Sequence, residues 1–381
     1  MIMKNNPVFN LSPLGFSIVQ ERLPKERLDR PRELKFQARP PVEIIEKGVR
    51  LHYYAPDCTR VEVDLRDGMP RRPMQRSCQQ GYWILDIVDL PGGQYFYDVY
   101  ADGILALDVR GNVIFSGRAV NFFEIPEPSF DDYLMKDVPH GTVETVYFPS
   151  GPAHKPRSML IYKPAGYEET LTRYPVLYLQ HGGGENEGGW IWSGRANFIL
   201  DNLIAEKACV PMLVVMNDGV VLHEEDGLLV TDSVSHMVRE DCIPYVDSHY
   251  RTLPDRRFRA AAGLSQGGMQ ARDIAYMNPD LFSALGMFSS GVGFEIDSCD
   301  IWGIRHDYRD LFDTPDHYAS LFNLTFITCG TEDPRNAYIR PQVETLQHQG
   351  FPLEYRCYPG EHQWQVWRKS LSDMLPLLFR S

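Results

Sequence analysis

A serine with glycines on both sides constrains the fold of this chain more than any other feature, and it lies in Gly263-Leu264-Ser265-Gln266-Gly267-Gly268. An apolar run, Phe258 to Ala262, precedes this stretch, and a helix-compatible run, Met269 to Met277, follows it. A strand that turns sharply into a helix and presents a serine at the turn is a nucleophile elbow. Glycines are needed there because the strand and the helix approach too closely for a Cβ. Ser265 is therefore predicted to be a nucleophile, the alternative being a chance match in a chain with 30 glycines.

The length of 381 residues favours two domains, and a composition of 43% hydrophobic and 23% charged residues is typical of globular proteins. Short alternating and aromatic runs in residues 1–125 predict an all-β, immunoglobulin-like sandwich. A linker rich in proline and acidic residues is predicted over 126–140. In residues 141–381, apolar runs alternate with helical patterns. This alternation predicts an α/β domain with a mostly parallel sheet and helices on both faces.

The net charge of −13 argues against a nucleic-acid partner or an anionic membrane and favours a neutral substrate. The first residues, Met1 to Pro7, show no apolar signal region, and no apolar run reaches bilayer length. We therefore expect a cytoplasmic protein. Seven scattered cysteines predict neither a disulfide framework nor a zinc site, and no cofactor is expected. The sequence leaves the oligomeric state open, with a homodimer as one candidate.

A serine nucleophile needs a base and an orienting acid, and both follow predicted strands near the C-terminus. The loop after Leu324 to Cys329 carries Asp333, and the loop after Leu353 to Tyr358 carries His362. The chain order Ser265, Asp333, His362 is that of α/β-hydrolases. Glu332 is the alternative orienting acid, but its neighbour is favoured because a Gly-Thr turn precedes it and a proline follows it.

The oxyanion hole is predicted from two backbone segments. The amide of Gln266, at the start of the helix after the elbow, is one expected donor. The second donor is expected in the glycine-rich stretch His181-Gly182-Gly183-Gly184-Glu185, where Gly183, Gly184 and Glu185 all remain open.

Three tryptophans near these loops in sequence, Trp190, Trp192 and Trp364, are candidates for lining an aromatic substrate pocket, with core packing as the alternative. The long connection Gly293 to His317 is a candidate lid. The cluster His223 to Asp226 has the composition of a metal site but lacks the ligand spacing, so we predict a solvated loop and no metal.

Four runs together resemble the feruloyl esterases of carbohydrate esterase family 1, within the esterase D and enterochelin-esterase-like group. They are His181 to Glu187, Gly263 to Gly268, Cys329 to Asp333 and Gly360 to Trp367. The resemblance implies a Ser–His–Asp hydrolase that releases hydroxycinnamate or acetate from plant polysaccharide fragments. Many such enzymes are exported, whereas the expected cytoplasmic location implies a small imported ester such as a feruloylated oligosaccharide. The run Leu51 to Pro56 and the alternating strand after it resemble the glycogen-binding type of carbohydrate-binding module.

Two other functions stay open at this point. One is an enterochelin (catecholate siderophore) esterase, whose anionic substrate calls for a cationic pocket, with Arg195, Arg272 and Arg305 as candidates. The other is a non-catalytic binding protein that keeps the hydrolase fold.

Overall fold

The computed structural model describes residues 40–66, 68–79, 81–225, 228–231, 233–293 and 307–380, with the backbone alone over 222–225 and 228–231. The described residues divide into two compact units between Ser129 and Phe130. This division falls inside the stretch that the sequence predicts to be a linker.

The N-terminal unit consists of two antiparallel sheets that share one hydrophobic core. Its strands, β1 to β10 in chain order, are Val42–Ile45, Gly48–Tyr54, Val61–Asp64, Arg72–Pro73, Gln75–Arg76, Tyr82–Val88, Gly93–Ala101, Ile104–Ala106, Asn112–Phe115 and Ala119–Ile125. One sheet has the order β1-β2-β6-β5, and the other has the order β4-β3-β7-β10-β9 with β8 beside β7. The core contains Leu51 and Trp83 from the first sheet and Val99 and Phe123 from the second. The predicted all-β unit is confirmed, while its immunoglobulin-like and sugar-binding character stays a prediction.

The second unit is built on an eight-stranded sheet with the order β11-β12-β14-β13-β17-β18-β19-β20, and β15 and β16 form a separate hairpin. Strand β12 is antiparallel to both of its neighbours, and the other adjacent pairs run parallel. The central strands are buried apolar runs, as expected for a sheet covered on both faces. The bounds of β11 to β20 are Thr142–Ser150, Lys155–Lys163, Val176–Gln180, Leu213–Asn217, Leu222–Glu225, Leu228–Thr231, Arg259–Leu264, Ala284–Phe288, Leu324–Gly330 and Glu354–Tyr358.

The helices of this unit, α1 to α8, are Gly189–Trp192, Ala196–Ala205, Val234–Met237, Ile243–His249, Gln266–Met277, Pro315–Leu321, Asn336–His348 and Trp364–Met374. A π-helical turn, Val238–Cys242, joins α3 to α4, and short 3₁₀ turns are Tyr167–Glu169, Arg256–Phe258, Arg309–Phe312 and Leu375–Leu377. Helix α8 ends before Pro376, which has no amide to continue the helical bonding. Within the described residues, no helix is long and apolar enough to cross a bilayer.

The parallel strands bring the predicted site residues to one edge of the sheet. The loops after β13, β17, β19 and β20 carry His181, Ser265, Asp333 and His362, respectively. Because these four strands run in the same direction, their carboxyl ends meet at the same edge.

Candidate active site

Ser265 occupies a strained turn between β17 and α5. Its backbone angles are φ 53° and ψ −119°, which side-chain-bearing residues rarely adopt. A Cβ added to Gly263 would lie 2.2 Å from the carbonyl oxygen of Gly267, and one added to Gly267 would lie 2.3 Å from that of His181. The absence of a Cβ at Gly263 lets the strand and the helix meet, and its absence at Gly267 lets the helix approach the loop after β13. The Ser265 amide donates to the carbonyl of Phe288 at 2.7 Å, which holds the turn against β18.

The three predicted triad residues form one continuous chain of hydrogen bonds. The Nε2 atom of His362 lies 2.9 Å from Ser265 Oγ, and its Nδ1 atom lies 2.7 Å from Asp333 Oδ2. An ionised carboxylate can only accept, so the proton of the neutral imidazole belongs on Nδ1. Nε2 is then free to accept the serine proton, which is the geometry that nucleophilic catalysis by serine needs.

Asp333, and not Glu332, reaches the imidazole. Asp333 is buried, and its second oxygen accepts from the Arg335 amide at 3.0 Å. Glu332 is exposed, and its carboxylate accepts from the Thr331 hydroxyl at 2.7 Å and the Gly360 amide at 2.5 Å. The Glu332 side chain therefore braces the loop that carries His362 without touching the imidazole.

Burial and hydrogen bonding have opposing effects on the pKa values of His362 and Asp333. Burial lowers the pKa of His362 below its ordinary value, the hydrogen bond to Asp333 opposes this, and the positive charge of Arg335 adds to the lowering. Burial raises the pKa of Asp333, but the hydrogen bonds from the Arg335 amide and from His362 outweigh it and leave that pKa lowered. At neutral pH the site therefore holds a neutral base beside an ionised acid.

Backbone hydrogen bonds and the cavity lining distinguish the candidates for the oxyanion hole. Gln266 is the first residue of α5, so its amide has no acceptor within the helix. Gly183 lines the cavity beside Ser265, whereas Gly184 does not. The prediction for Glu185 is wrong, because its amide donates to the Gly182 carbonyl at 3.3 Å. Gln266 and Gly183 are the oxyanion-hole candidates that line the cavity, so their amides stay the predicted donors.

His181 holds the glycine-rich loop in place, a role that sequence reasoning missed. The imidazole is buried, and its Nε2 atom accepts from the Gly219 amide at 2.9 Å. Its Nδ1 atom lies 2.8 Å from the carbonyl oxygen of Gly182. A polar side chain at the end of the fully buried strand β13 was the available signal, because a buried imidazole must find partners.

The predicted role of the tryptophans as pocket residues is wrong for Trp190 and Trp364. Both are buried and lie edge to face with ring centroids 5.3 Å apart, and the Trp190 indole donates to the Gln180 carbonyl at 2.8 Å. Trp192 is partly exposed but is absent from the cavity lining. Trp190 and Trp364 are close to the catalytic loops in sequence, but their side chains lie in the core that supports those loops.

A cavity of about 430 Å³ opens beside Ser265. Four of its lining residues that sequence reasoning missed are Ser290, Arg335, Tyr338 and Gln342. The last three are spaced by three and four residues at the start of α7 and so share one face of that helix, which follows the Asp333 loop directly. The complete lining is Gly183, Ser265, Gln266, Met269, Arg272, Ser289, Ser290, Gly291, Gly293, Arg335, Tyr338 and Gln342.

Other predictions on the site have different outcomes. Arg272 lines the cavity and Arg195 does not. Arg305, residues 294–306 of the candidate lid, and the side chains of the cluster at 223–226 lie outside the described residues. Among the residues that are described, no group of three or more His, Cys, Asp or Glu side chains could hold a metal ion.

Comparison with known proteins shows that this chain is similar to esterases. A family model described as "Putative esterase" matches residues 150–378. The chain is 30% identical over 351 residues to an endo-1,4-beta-xylanase/feruloyl esterase of Xylanibacter ruminicola, a match that covers 88% of this chain and 45% of that protein. The chain spans about half or less of the length of the curated relatives that it matches.

Two solved structures show the same fold. A CE1 ferulic acid esterase from Anaeromyces mucronatus has a TM-score of 0.54 at 23% identity, covering 64% of this chain and 93% of its own. The enterobactin esterase from Shigella flexneri has a TM-score of 0.62 at 16% identity, covering 90% of this chain and 97% of its own.

The two neighbouring acids should differ sharply in their effect on turnover of an ester. We expect Asp333→Asn to lower kcat by about 10⁴-fold, because an amide can stabilise the wrong imidazole tautomer. The matched change Glu332→Gln should cost less than about tenfold, since its amide oxygen can still accept from the Gly360 amide. Steady-state kinetics on methyl ferulate checks both, and the reverse order would reassign the orienting acid.

The pH dependence of kcat/KM should report the lowered pKa of His362. A base that must be neutral loses activity as the pH falls through its pKa, so the acid limb should have its midpoint below the ordinary value of about 6.5. A neutral substrate such as methyl ferulate keeps substrate ionisation out of the profile. A midpoint clearly above 6.5, or a rate that stays flat down to about pH 4, would contradict His362 as the base.

Proposed function

The chain belongs to the esterase family whose model matches residues 150–378, and we propose that it is a serine esterase that releases hydroxycinnamoyl groups, such as feruloyl, or acetyl groups from oligosaccharides of plant cell walls. The prediction of a carboxylic-ester hydrolase is confirmed by that family model and by the feruloyl esterase relative. The observation that carries the proposed mechanism is the hydrogen-bond chain from Ser265 through His362 to Asp333.

In the proposed mechanism, Ser265 Oγ attacks the ester carbonyl carbon while its proton passes to His362 Nε2. The oxygen that becomes negative receives hydrogen bonds from the amides of Gln266 and Gly183. When the tetrahedral intermediate collapses, His362 returns the proton to the leaving alcohol and the acyl group stays on Ser265. A water molecule then releases the acid by the same steps, with Asp333 steadying the imidazolium in each half.

The position of His362 suggests which part of the ester enters the cavity. The leaving oxygen must lie within reach of His362 Nε2, because that atom protonates it. The cavity is lined by Ser265 and by both oxyanion residues, whereas His362 is not part of its described lining. We infer that the alcohol lies on the His362 side and that the acyl group enters the cavity. A volume of about 430 Å³ is large for an acetyl group and favours an aromatic acyl group.

A second candidate is a catecholate siderophore esterase. It is favoured because the structural match to the enterobactin esterase covers 90% of this chain. The charges that line the cavity argue against a siderophore substrate. Arg272 lies 2.8 Å from the carboxylate of Asp273, and Arg335 lies 3.6 Å from that of Asp333. Because both arginines have an acidic partner, the cavity offers little net positive charge to a strongly anionic substrate.

A substrate panel tests the proposal. We expect methyl ferulate and methyl p-coumarate to be hydrolysed with higher kcat/KM than an acetylated xylo-oligosaccharide or a catecholate siderophore. Ser265→Ala should lower these rates by about 10⁶-fold in a protein with unchanged circular dichroism, because the nucleophile is lost. Preference for the siderophore would support the second candidate. Near-normal turnover by Ser265→Ala would exclude the serine mechanism.

A further inference from the structure

We propose that the cavity ends in a hydroxyl-recognition subsite, formed by Gln342, Ser290 and Arg272, that binds the ring hydroxyl of a hydroxycinnamoyl group. This inference rests on the proposed function and adds to it the residues that determine acyl specificity. The subsite is distinct from the Ser265–His362–Asp333 chain, because none of its members contacts His362 or Asp333 through a described hydrogen bond.

Unsatisfied polar atoms mark this cavity. The side-chain atoms Gln266 Nε2, Ser290 Oγ and Gln342 Oε1 are buried and have no hydrogen-bond partner among the described residues. All three residues line the same cavity, and Gln266 and Ser290 are at least nine-tenths buried. Buried polar groups in proteins are nearly always hydrogen-bonded, so three unsatisfied atoms around one cavity point to a polar ligand.

The helices place Arg272 and Gln342 away from the nucleophile, while Ser290 lies nearer to it, beside Gly268 in the first turn of α5. Gln266, Met269 and Arg272 lie at intervals of three residues on α5, so Arg272 is about 9 Å from Gln266 along the helix axis. On the facing wall, Arg335 adjoins Asp333, and Gln342 follows it two turns later along α7. The cavity therefore extends along two helices from the oxyanion amides to its polar end.

The chemistry of this end suits a hydroxyl group better than an anion. The Arg272 guanidinium is paired with Asp273, which also accepts from the Tyr308 hydroxyl at 2.6 Å, so its charge is balanced. An amide and a hydroxyl, as in Gln342 and Ser290, can each donate and accept, and so can a phenol.

The walls between the nucleophile and the polar end suit an aromatic ring. The thioether side chain of Met269 and the half-exposed ring of Tyr338 line this part of the cavity. The para-hydroxyl is the atom of a p-hydroxycinnamoyl group farthest from the ester carbonyl. With that carbonyl at Ser265 and the acyl group in the cavity, the hydroxyl falls at the polar end.

Two esters that differ only in this hydroxyl test the subsite. We expect the wild-type enzyme to prefer methyl p-coumarate over methyl cinnamate by about 10- to 100-fold in kcat/KM, because cinnamate leaves the buried polar groups unpaired. Gln342→Leu should reduce this preference at least about fivefold, mainly through a loss on methyl p-coumarate. Ser290→Ala is a second variant with the same expected direction, and Gln349→Leu, an exposed position just after α7, should leave both rates unchanged.

The outcomes separate the subsite from the proposed function. If the wild type hydrolyses both esters equally well, or if Gln342→Leu and Ser290→Ala lower both rates by the same factor, the subsite is overturned and the esterase proposal stands. If neither ester is hydrolysed while p-nitrophenyl acetate is, the hydroxycinnamate proposal and the subsite fall together.

Discussion

The close approach of strand β17 and helix α5 is the constraint on which the rest of the site depends. A Cβ at Gly263, in the strand, would lie 2.2 Å from the carbonyl oxygen of Gly267, in the helix, so the two elements can meet only because this position is a glycine. The contact between the strand and the helix forces Ser265 into a backbone conformation that costs on the order of 1–3 kcal/mol. The burial of β17 and the packing of α5 offset this cost. The same turn places Ser265 and Gln266 at one cavity, so the nucleophile and the proposed oxyanion donor are positioned by a single backbone feature.

The other groups reach the serine because parallel strands end at one sheet edge, and each is held by contacts behind it. Asp333 is fixed by the Arg335 amide, the His362 loop by Glu332, and the oxyanion loop by His181. Burial raises the cost of charging His362, while Asp333 favours its charged form. The base therefore stays neutral in the resting enzyme and is still able to take up a proton during the reaction.

The elbow, the triad and the two-unit architecture could be predicted from the sequence because each depends on local patterns and on chain order. The choice of the second oxyanion donor among three residues and the lining of the pocket could not be predicted. Glu185 was excluded by a hydrogen bond within its own loop, and Trp190 and Trp364 face the core although they are close to the catalytic loops in sequence. No sequence motif marks a glutamine within a helix, so Gln342 could be assigned to the cavity only from the packing of α7 along it.

Covalent labelling followed by peptide mass spectrometry tests whether Ser265 is a nucleophile that His362 activates. A fluorophosphonate reacts with an activated serine and leaves a stable adduct. We expect one adduct per chain, located on Ser265, with activity lost in proportion to labelling and with labelling strongly slowed in His362→Ala. An adduct on another residue, or full activity after stoichiometric labelling of Ser265, would contradict this expectation.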